Sequence, residues 1–290
     1  MRSSTVESGR KRRTVLSWQS QAVLLALVPF PATWAVLASG HAWEAGSAVW
    51  WQAAAVSIPF ALLVFWLRSA TAGGAATGGI FAAVFYLASP GRQTTLWPLL
   101  ALLVLTLGAT KFGRRRKEEQ GTAEGRRGRT ASQVAANLGV AAVVSLPQVA
   151  LWMAGSRFAA EGTMLVAVAA AMAEATADTL SSEIGQVLGG VPRLVTTGRV
   201  VAAGTDGGVT LLGTLVGCAG AALVVAVGVA ATPLTRSGAL IAGGAGVVGL
   251  WVDSLLGAVA ERPGWLNNDA VNALSTAAAA ALAVCAWRWL

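Results

Sequence analysis

Glu174 and Asp178 lie four residues apart in the segment AAAMAEATADTLSSEIG. On a helix they share one face, which Ser181 or Ser182 continues. Glu183 follows where that helix would leave its apolar surroundings. A charged side chain at a bilayer centre costs about 2.5–3.5 kcal/mol even on the mild insertion scale, so acids in so apolar a stretch mark function. Two carboxylates one turn apart near an interface suit a hard cation such as Mg²⁺, which takes oxygen ligands and keeps several waters. The plainer reading is a helix end with solvated acids.

Further strings carry polar chemistry. GQVLGGVPRLVTTGRVVAAGTDGGVTLLG offers Arg193, Thr196, Thr197 and Arg199, then Gly204, Thr205, Asp206, Gly207 and Gly208 ahead of the next apolar run. Glycines before a helix N-terminus let backbone N–H groups approach an anion, and the helix dipole favours negative charge there. Arg193 and Arg199 are placed to pair phosphate oxygens bidentately. Asp206 is odd in an anion nest unless a metal bridges it to the phosphates, and a plain loop explains the same residues. This is not a Walker loop: GxxxxGK[ST] is absent and no lysine follows Lys117.

Asp253 stands about two turns inside the edge of GLWVDSLLGAVAERPGWLNND. Asn268 and Asn272 then share a helix face with Asp269 beside them, although Asn267 or Asn268 could simply cap that helix. Thr130, Gln133 and Asn137 in RGRTASQVAANLG also fall on one face. Buried Gln and Asn serve equally as glue between helices.

The elements that must position these residues are membrane helices. Of 290 residues, 55% are hydrophobic and only 12% charged, with a mean hydropathy of +0.64; soluble domains carry about 25% charged residues. Nine apolar segments occur, at about 21–39, 48–67, 74–89, 95–110, 132–153, 162–180, 210–231, 238–258 and 270–288, several near the roughly 20 residues that span a bilayer. The expected fold is an all-α polytopic transmembrane bundle of about nine spans. The first segment follows Arg10, Lys11, Arg12 and Arg13, as a secretory signal would, but its length and the lack of a clean cleavage site favour a retained span.

Charge sets the expected orientation. Five of the 21 Lys and Arg precede residue 14, and eight lie in 111–129. With the N-terminus in the cytosol, 17 basic residues fall inside and 4 outside, as the positive-inside rule requires. The net charge of +8 is therefore an orientation signal and not a nucleic-acid footprint. The basic run also divides the chain: residues 1–110 read as a cytosolic tail and four-helix scaffold, 111–131 as a cytosolic loop, and 132–290 as a five-helix catalytic part of one membrane domain. Cys218 and Cys285 lie in apolar segments and His41 is the single histidine, which argues against disulfides, multi-histidine metal sites and histidine-activated nucleophiles.

In this topology the Glu174/Asp178 end, the 181–209 loop, the Asp253 end and the starts carrying Asn268/Asn272 and Gln133/Asn137 share one membrane face. Independent structural polar residues would scatter to both. Asp178-Thr179-Leu180 and Asp253-Ser254-Leu255 each close an inward span, either as a weak internal repeat or by chance.

AEATADTLSSEIG, PRLVTTGR, GTDGGV, VDSLLGA and NNDAVN, in order with RTASQVAAN over about 125–290, resemble the integral membrane family that includes plant phytyl-phosphate kinase. The combination is specific, though no single motif is, and the first four spans match only in hydrophobicity. The resemblance implies a membrane kinase moving a phosphoryl group from a nucleotide, typically CTP, to a prenyl monophosphate of phytyl, geranylgeranyl or farnesyl type. Family-like roles fall on Glu174, Asp178, Glu183, Asp206, Asp253, Asn268 and Asp269. On this reading Asp178 and Asp253 hold Mg²⁺, with Glu174, Asp206, Glu183 and Asp269 as further metal candidates. Arg193, Arg199 and the Gly207–Gly208 backbone hold phosphates, and Thr197, Gly204, Thr205, Asn268, Asn272, Gln133 and Asn137 complete the nucleotide site. The expected location is the inner or plasma membrane with the site facing the cytosol, among membrane lipids and with no nucleic-acid partner; the oligomeric state stays open. Rival classes are an ion-coupled transporter, whose site would sit nearer the midplane, and another CTP-using lipid head-group transferase.

Overall fold

The computed structural model describes residues 16–123, 125 and 128–289. The basic block Arg10–Arg13, Arg126 and Arg127 lie outside the described residues. All nine apolar segments are helical. The first is α1 (Ser17–Leu27) and α2 (Pro29–Glu44), one 28-residue span interrupted at Val28, where Pro29 and Pro31 cannot donate backbone hydrogen bonds. Next come α3 (Val49–Trp66), α4 (Ala72–Ala88), and α5 (Leu96–Lys111), which bends by 59° into the short α6 (Arg114–Gln120) at Gly113.

Then α7 (Ala131–Val144) breaks by 66° into α8 (Pro147–Ala154). The cause is local: Leu146 precedes Pro147 and is forced extended, with ψ 131°. The long α9 (Arg157–Leu188) leads to a two-stranded ribbon of β1 (Arg193–Leu194) and β2 (Gly208–Val209). α10 (Leu211–Ala231), α11 (Arg236–Leu256) and α12 (Asn268–Trp287) complete the chain, with a π-helical turn at Gly257–Glu261 closing α11.

Six helices are long and apolar enough to cross a bilayer, or eight if each bent pair is one span. The expectation of nine counted α4 as well, which has 17 residues. The interruption at Leu146-Pro147 inside the segment read as 132–153 is a further difference from the continuous spans expected.

The bundle is organised around α9. Its most apolar window is 94% buried, against 17% for the α1–α2 span and 28% for α10 and for α11. It packs against α10, α11, α12, α5, α7 and α8. Small residues make this possible: Ala167, Ala170, Ala171, Ala173 and Ala177 are fully buried, and close backbone approach drives helix association in lipid. Gly217 of α10 faces Ala177 so closely that a Cβ there would lie 2.7 Å from its carbonyl oxygen. Large apolar side chains point outward instead, among them Trp152, Leu211 and Leu240, as expected of a surface solvated by lipid.

Candidate functional site

Acids from separate elements converge at one end of the bundle. α9 supplies Glu174 and Asp178, α11 supplies Asp253, the β1–β2 connection supplies Asp206, and the π-turn supplies Glu261. A cavity of about 260 Å³ opens between them, with Asp178, Ser182, Gln186, Asp206, Asp253 and Asn268 in its wall. The Asp178 and Asp253 carboxyls line the same cavity and lie near enough to interact electrostatically. Ser275 Oγ of α12 lies 3.3 Å from Asp253 Oδ2 and 3.0 Å from the Asn272 carbonyl.

Glu174 sits behind these groups, 1% exposed, and its Oε1 is buried with no hydrogen-bond partner among the described residues. It fits there because α11 presents Gly249: a Cβ at that position would fall 2.5 Å from Glu174 Cγ. An orphaned acceptor beside two more carboxylates is repulsive on its own and is relieved by a cation.

A second cavity of about 120 Å³ shares Asp178 with the first and is lined also by Arg129, Gln133, Asn137, Glu183 and Asn272. Here Arg129 Nη2 donates to Thr179 Oγ1 at 3.3 Å, and its guanidinium lies near enough to Asp178 to interact electrostatically. A wider cleft of about 730 Å³ shares Gln186, Asp206 and Asn268 with the first cavity and adds Arg262 and Asp269.

The structure therefore brings Asp178, Asp206, Asp253, Asn268, Asn272, Gln133 and Asn137 around linked cavities, with Glu174 buried behind them. Part of that polarity has ordinary structural work. Gln133 Oε1 accepts the Thr130 N–H at 2.8 Å in a capping box, and Asn137 Nδ2 donates to the Gln133 carbonyl at 2.8 Å. Asn267, not Asn268, caps α12 by accepting the Ala270 N–H at 2.9 Å. Asp269 is buried in the first turn of α12, where the helix dipole favours an anion; it lines the wide cleft and not the acid cavity.

Two expectations change. Arg193, Thr197 and Arg199 line none of these cavities. They stand exposed on the hairpin, where Arg193 Nη1 donates to the Gly198 carbonyl at 2.9 Å and Thr197 Oγ1 accepts the Arg199 N–H at 3.4 Å. Glu183 is an ion-pair partner before it is a metal ligand: Lys117 Nζ lies 2.5 Å from its Oε2.

The glycine loop does line the acid cavity through Gly204, Thr205, Gly207 and Gly208. Its amides are partly consumed, since Thr205 N–H donates to Ala202 O at 3.2 Å and Gly208 N–H to Thr205 O at 2.8 Å. Gly207 has φ +74°, and a Cβ there would lie 2.5 Å from the Ala258 backbone nitrogen. Its glycine is thus required by the seating of the loop on the π-turn. Gly207→Ala is expected to cost about 1–3 kcal/mol through this clash and to lift the loop. Faster proteolytic cutting within 195–207, with the remaining helices intact, is the corresponding measurement.

Sequence reasoning passed over Arg129, Glu261, Gln186 and Ser275. Arg129 was absorbed into a basic run that reads as an orientation signal. Glu261 lay beyond the expected helix end, and only the turn at AERPG hinted at a change of direction. Among the described residues no three His, Cys, Asp or Glu side chains form a ready metal cluster. The oxygen-only donors Asp178 and Asp253, with Glu174 behind, suit a hard cation that takes its remaining ligands from water or bound phosphate.

Comparison with known proteins gives a consistent family. The family described as integral membrane protein DUF92 matches residues 55–280, well over half of the chain. An uncharacterized membrane protein of Methanocaldococcus jannaschii is 42% identical over 112 residues, 39% of this chain and 47% of that protein. The chloroplastic protein VTE6 of Arabidopsis thaliana is 29% identical over 187 residues, 63% of this chain and 56% of that protein. An uncharacterized membrane protein of Synechocystis sp. is 29% identical over 194 residues, 64% of this chain and 71% of that protein. The chain spans about half the length of the first two of these relatives. No solved structure matches it.

Proposed function

The chain belongs to the DUF92 family of integral membrane proteins, and on that premise we propose that it is a membrane kinase that phosphorylates a prenyl monophosphate to the diphosphate. The motif resemblance to the family of plant phytyl-phosphate kinase and the similarity to VTE6 supply the reaction class. The observation that carries the reading to this chain is the meeting of Asp178, Asp206 and Asp253, from three separate elements, in one cavity at an end of the bundle. A transporter would need acids nearer the middle of the span.

The chemistry asks little of a base. The acceptor's phosphate oxygen attacks the γ-phosphorus of a nucleoside triphosphate, CTP in our reading. The bond from that phosphorus to the β–γ bridging oxygen breaks, and the nucleoside diphosphate leaves. The attacking phosphate is already ionised, so no residue need take a proton. Phosphoryl transfer of this kind depends on positioning and on neutralising charge.

Asp178 and Asp253, assisted by Glu174 and Asp206, would hold Mg²⁺, which neutralises polyphosphate charge and draws the leaving oxygen's electrons. Arg129, beside Asp178, pairs with the acceptor phosphate. Arg262 and the polar wall of the wide cleft face the nucleotide. The cytosol, where the nucleotide is, is the compartment this end faces.

The test is direct. Purified protein in detergent with Mg²⁺, CTP and geranylgeranyl monophosphate is expected to form the diphosphate, followed by transfer of label from γ-³²P-CTP to lipid. No transfer from CTP or any other nucleotide to any prenyl monophosphate, alongside substrate-driven uptake into liposomes, would replace the kinase with a transporter.

A further inference from the structure

An apolar cavity of about 100 Å³ lies between the helices that the motifs leave blank and the start of α7. Phe60 and Val64 of α3, Gly78 of α4, Leu102 and Thr106 of α5 and Leu138 of α7 form its walls. Each of these helices has its membrane-edge end on the same side of the slot: α3 and α5 finish there, and α4 and α7 begin there. That end is ringed by Arg68, Lys111, Arg114 and Arg129. α4 lines the slot with Gly74 and Gly78, whose missing side chains let the Arg129 backbone and the Phe60 ring come close against that helix.

Arg129 and Asn137 line this slot and also the small cavity that contains Asp178. The position of Arg129 is fixed by its backbone. Its N–H donates to Ser69 O at 2.9 Å, and its carbonyl accepts the Thr71 N–H at 3.0 Å. Gly74 allows this stitching, since a Cβ there would fall 2.3 Å from the Arg129 oxygen. Gly128, at φ +75°, lies equally close to the Ser69 backbone. The side chain is left reaching toward Thr179 on α9. The segment before α7 thus crosses to the first helices, is pinned there, and sets one guanidinium between an apolar slot and the acids.

We infer that this slot is the binding site for the isoprenoid tail of the lipid monophosphate, with its phosphate held at Arg129 and facing Asp178. The inference rests on the kinase reading for the identity of the acceptor. An apolar slot with a cationic mouth is complementary to an amphiphile with an anionic head. Its narrowness selects a single branched chain over the paired chains of a phospholipid. The remainder of a longer tail leaves between α3 and α5, whose outward faces carry the exposed Leu63 and Val104, into the bilayer. On this view the first helices are the acceptor site and not a scaffold.

The experiment uses the whole purified protein and geranylgeranyl monophosphate carrying a diazirine part-way along its tail, on the portion held in the slot. After photolysis, label is expected on residues of α3 and α5 in the 60–64 and 102–106 stretches, displaced by farnesyl monophosphate and not by dioleoyl phosphatidic acid. Leu102→Trp fills the slot and is expected to raise the acceptor KM about tenfold while leaving the nucleotide KM within about twofold. Label mapping to other helices, equal displacement by phosphatidic acid, or an unchanged acceptor KM in a folded Leu102→Trp protein overturns the inference. Mapping in the unaltered protein keeps the test open if that variant fails to fold. Labelled slot without transfer from any nucleotide removes the kinase reading and leaves the lipid site; transfer with an unlabelled slot does the reverse.

Discussion

Asp253→Asn is expected to lower turnover by about a thousandfold or more, the order seen when a charge-stabilising group is removed from a transition state. The fold should survive. Asn has the shape of Asp, and its amide oxygen still accepts from Ser275, whose Oγ lies 3.3 Å from Asp253 Oδ2. The substitution also takes one negative charge out of a group in which Glu174, Asp178, Asp253 and Glu261 repel one another. Thermal unfolding in detergent should therefore be unchanged or slightly raised while activity disappears. Asp178→Asn should behave alike, and the double variant should be little worse than either single, because groups that act as a unit are not additive. Turnover that persists in both single variants would remove the acid cavity from the reaction.

The second large effect concerns stability. Lys117 is 1% exposed, and its three ammonium protons meet Ala109 O at 3.0 Å, Thr110 O at 2.8 Å and Glu183 Oε2 at 2.5 Å. The first two are carbonyls in the last turn of α5, the Ala109 oxygen accepting the Phe112 N–H as well at 3.2 Å, so the lysine caps that helix, holds α6 under it and ties both to α9. Glu183→Leu leaves the ammonium buried without its counter-charge and is expected to cost about 3–5 kcal/mol. Pairing it with Lys117→Met should recover most of that. Thermal melts in detergent and the rate of trypsin cutting at Arg114–Arg116 report both. A double variant that is stable and still active would fix Glu183 as structural; one that is stable and inactive would return it to the metal site.

How much of this the sequence disclosed depends on whether a residue's neighbours were local. Thr130 with Gln133 and Asn267 with Ala270 are contacts within four residues; the second is one of the two caps the sequence offers, whereas the first is a capping box at residues read as a shared helix face. The nine helical segments were legible because lipid rewards uninterrupted apolar stretches. Pro147 was also in view, and its effect on Leu146 shows that the break in the fifth segment could have been read. The meeting of Asp178, Asp206 and Asp253 was reachable only indirectly, from charge asymmetry that put their ends on one face.

Arg193 and Arg129 show the limit. Both are arginines near glycines in polar loops. What separates them is a hairpin that turns one back on Gly198 and a backbone stitch to Ser69 that carries the other across to α9. Neither follows from spacing. The slot beside Arg129 was equally hidden, because Gly74 and Gly78 announce only that something is missing from a helix face, not what fills the gap.

The near-complete enclosure of α9 has a consequence for how the protein is made. Of its acids, Glu174 and Asp178 are sheltered by α10, α11 and α12, all of which leave the ribosome after it. While these are still being synthesised, the newly inserted α9 has only the earlier helices beside it and would show its carboxylates to acyl chains or to the insertion machinery. Nascent chains that stop near residue 190 are thus the ones a membrane protease should find first, and the portion carrying the motifs is not separable at that point.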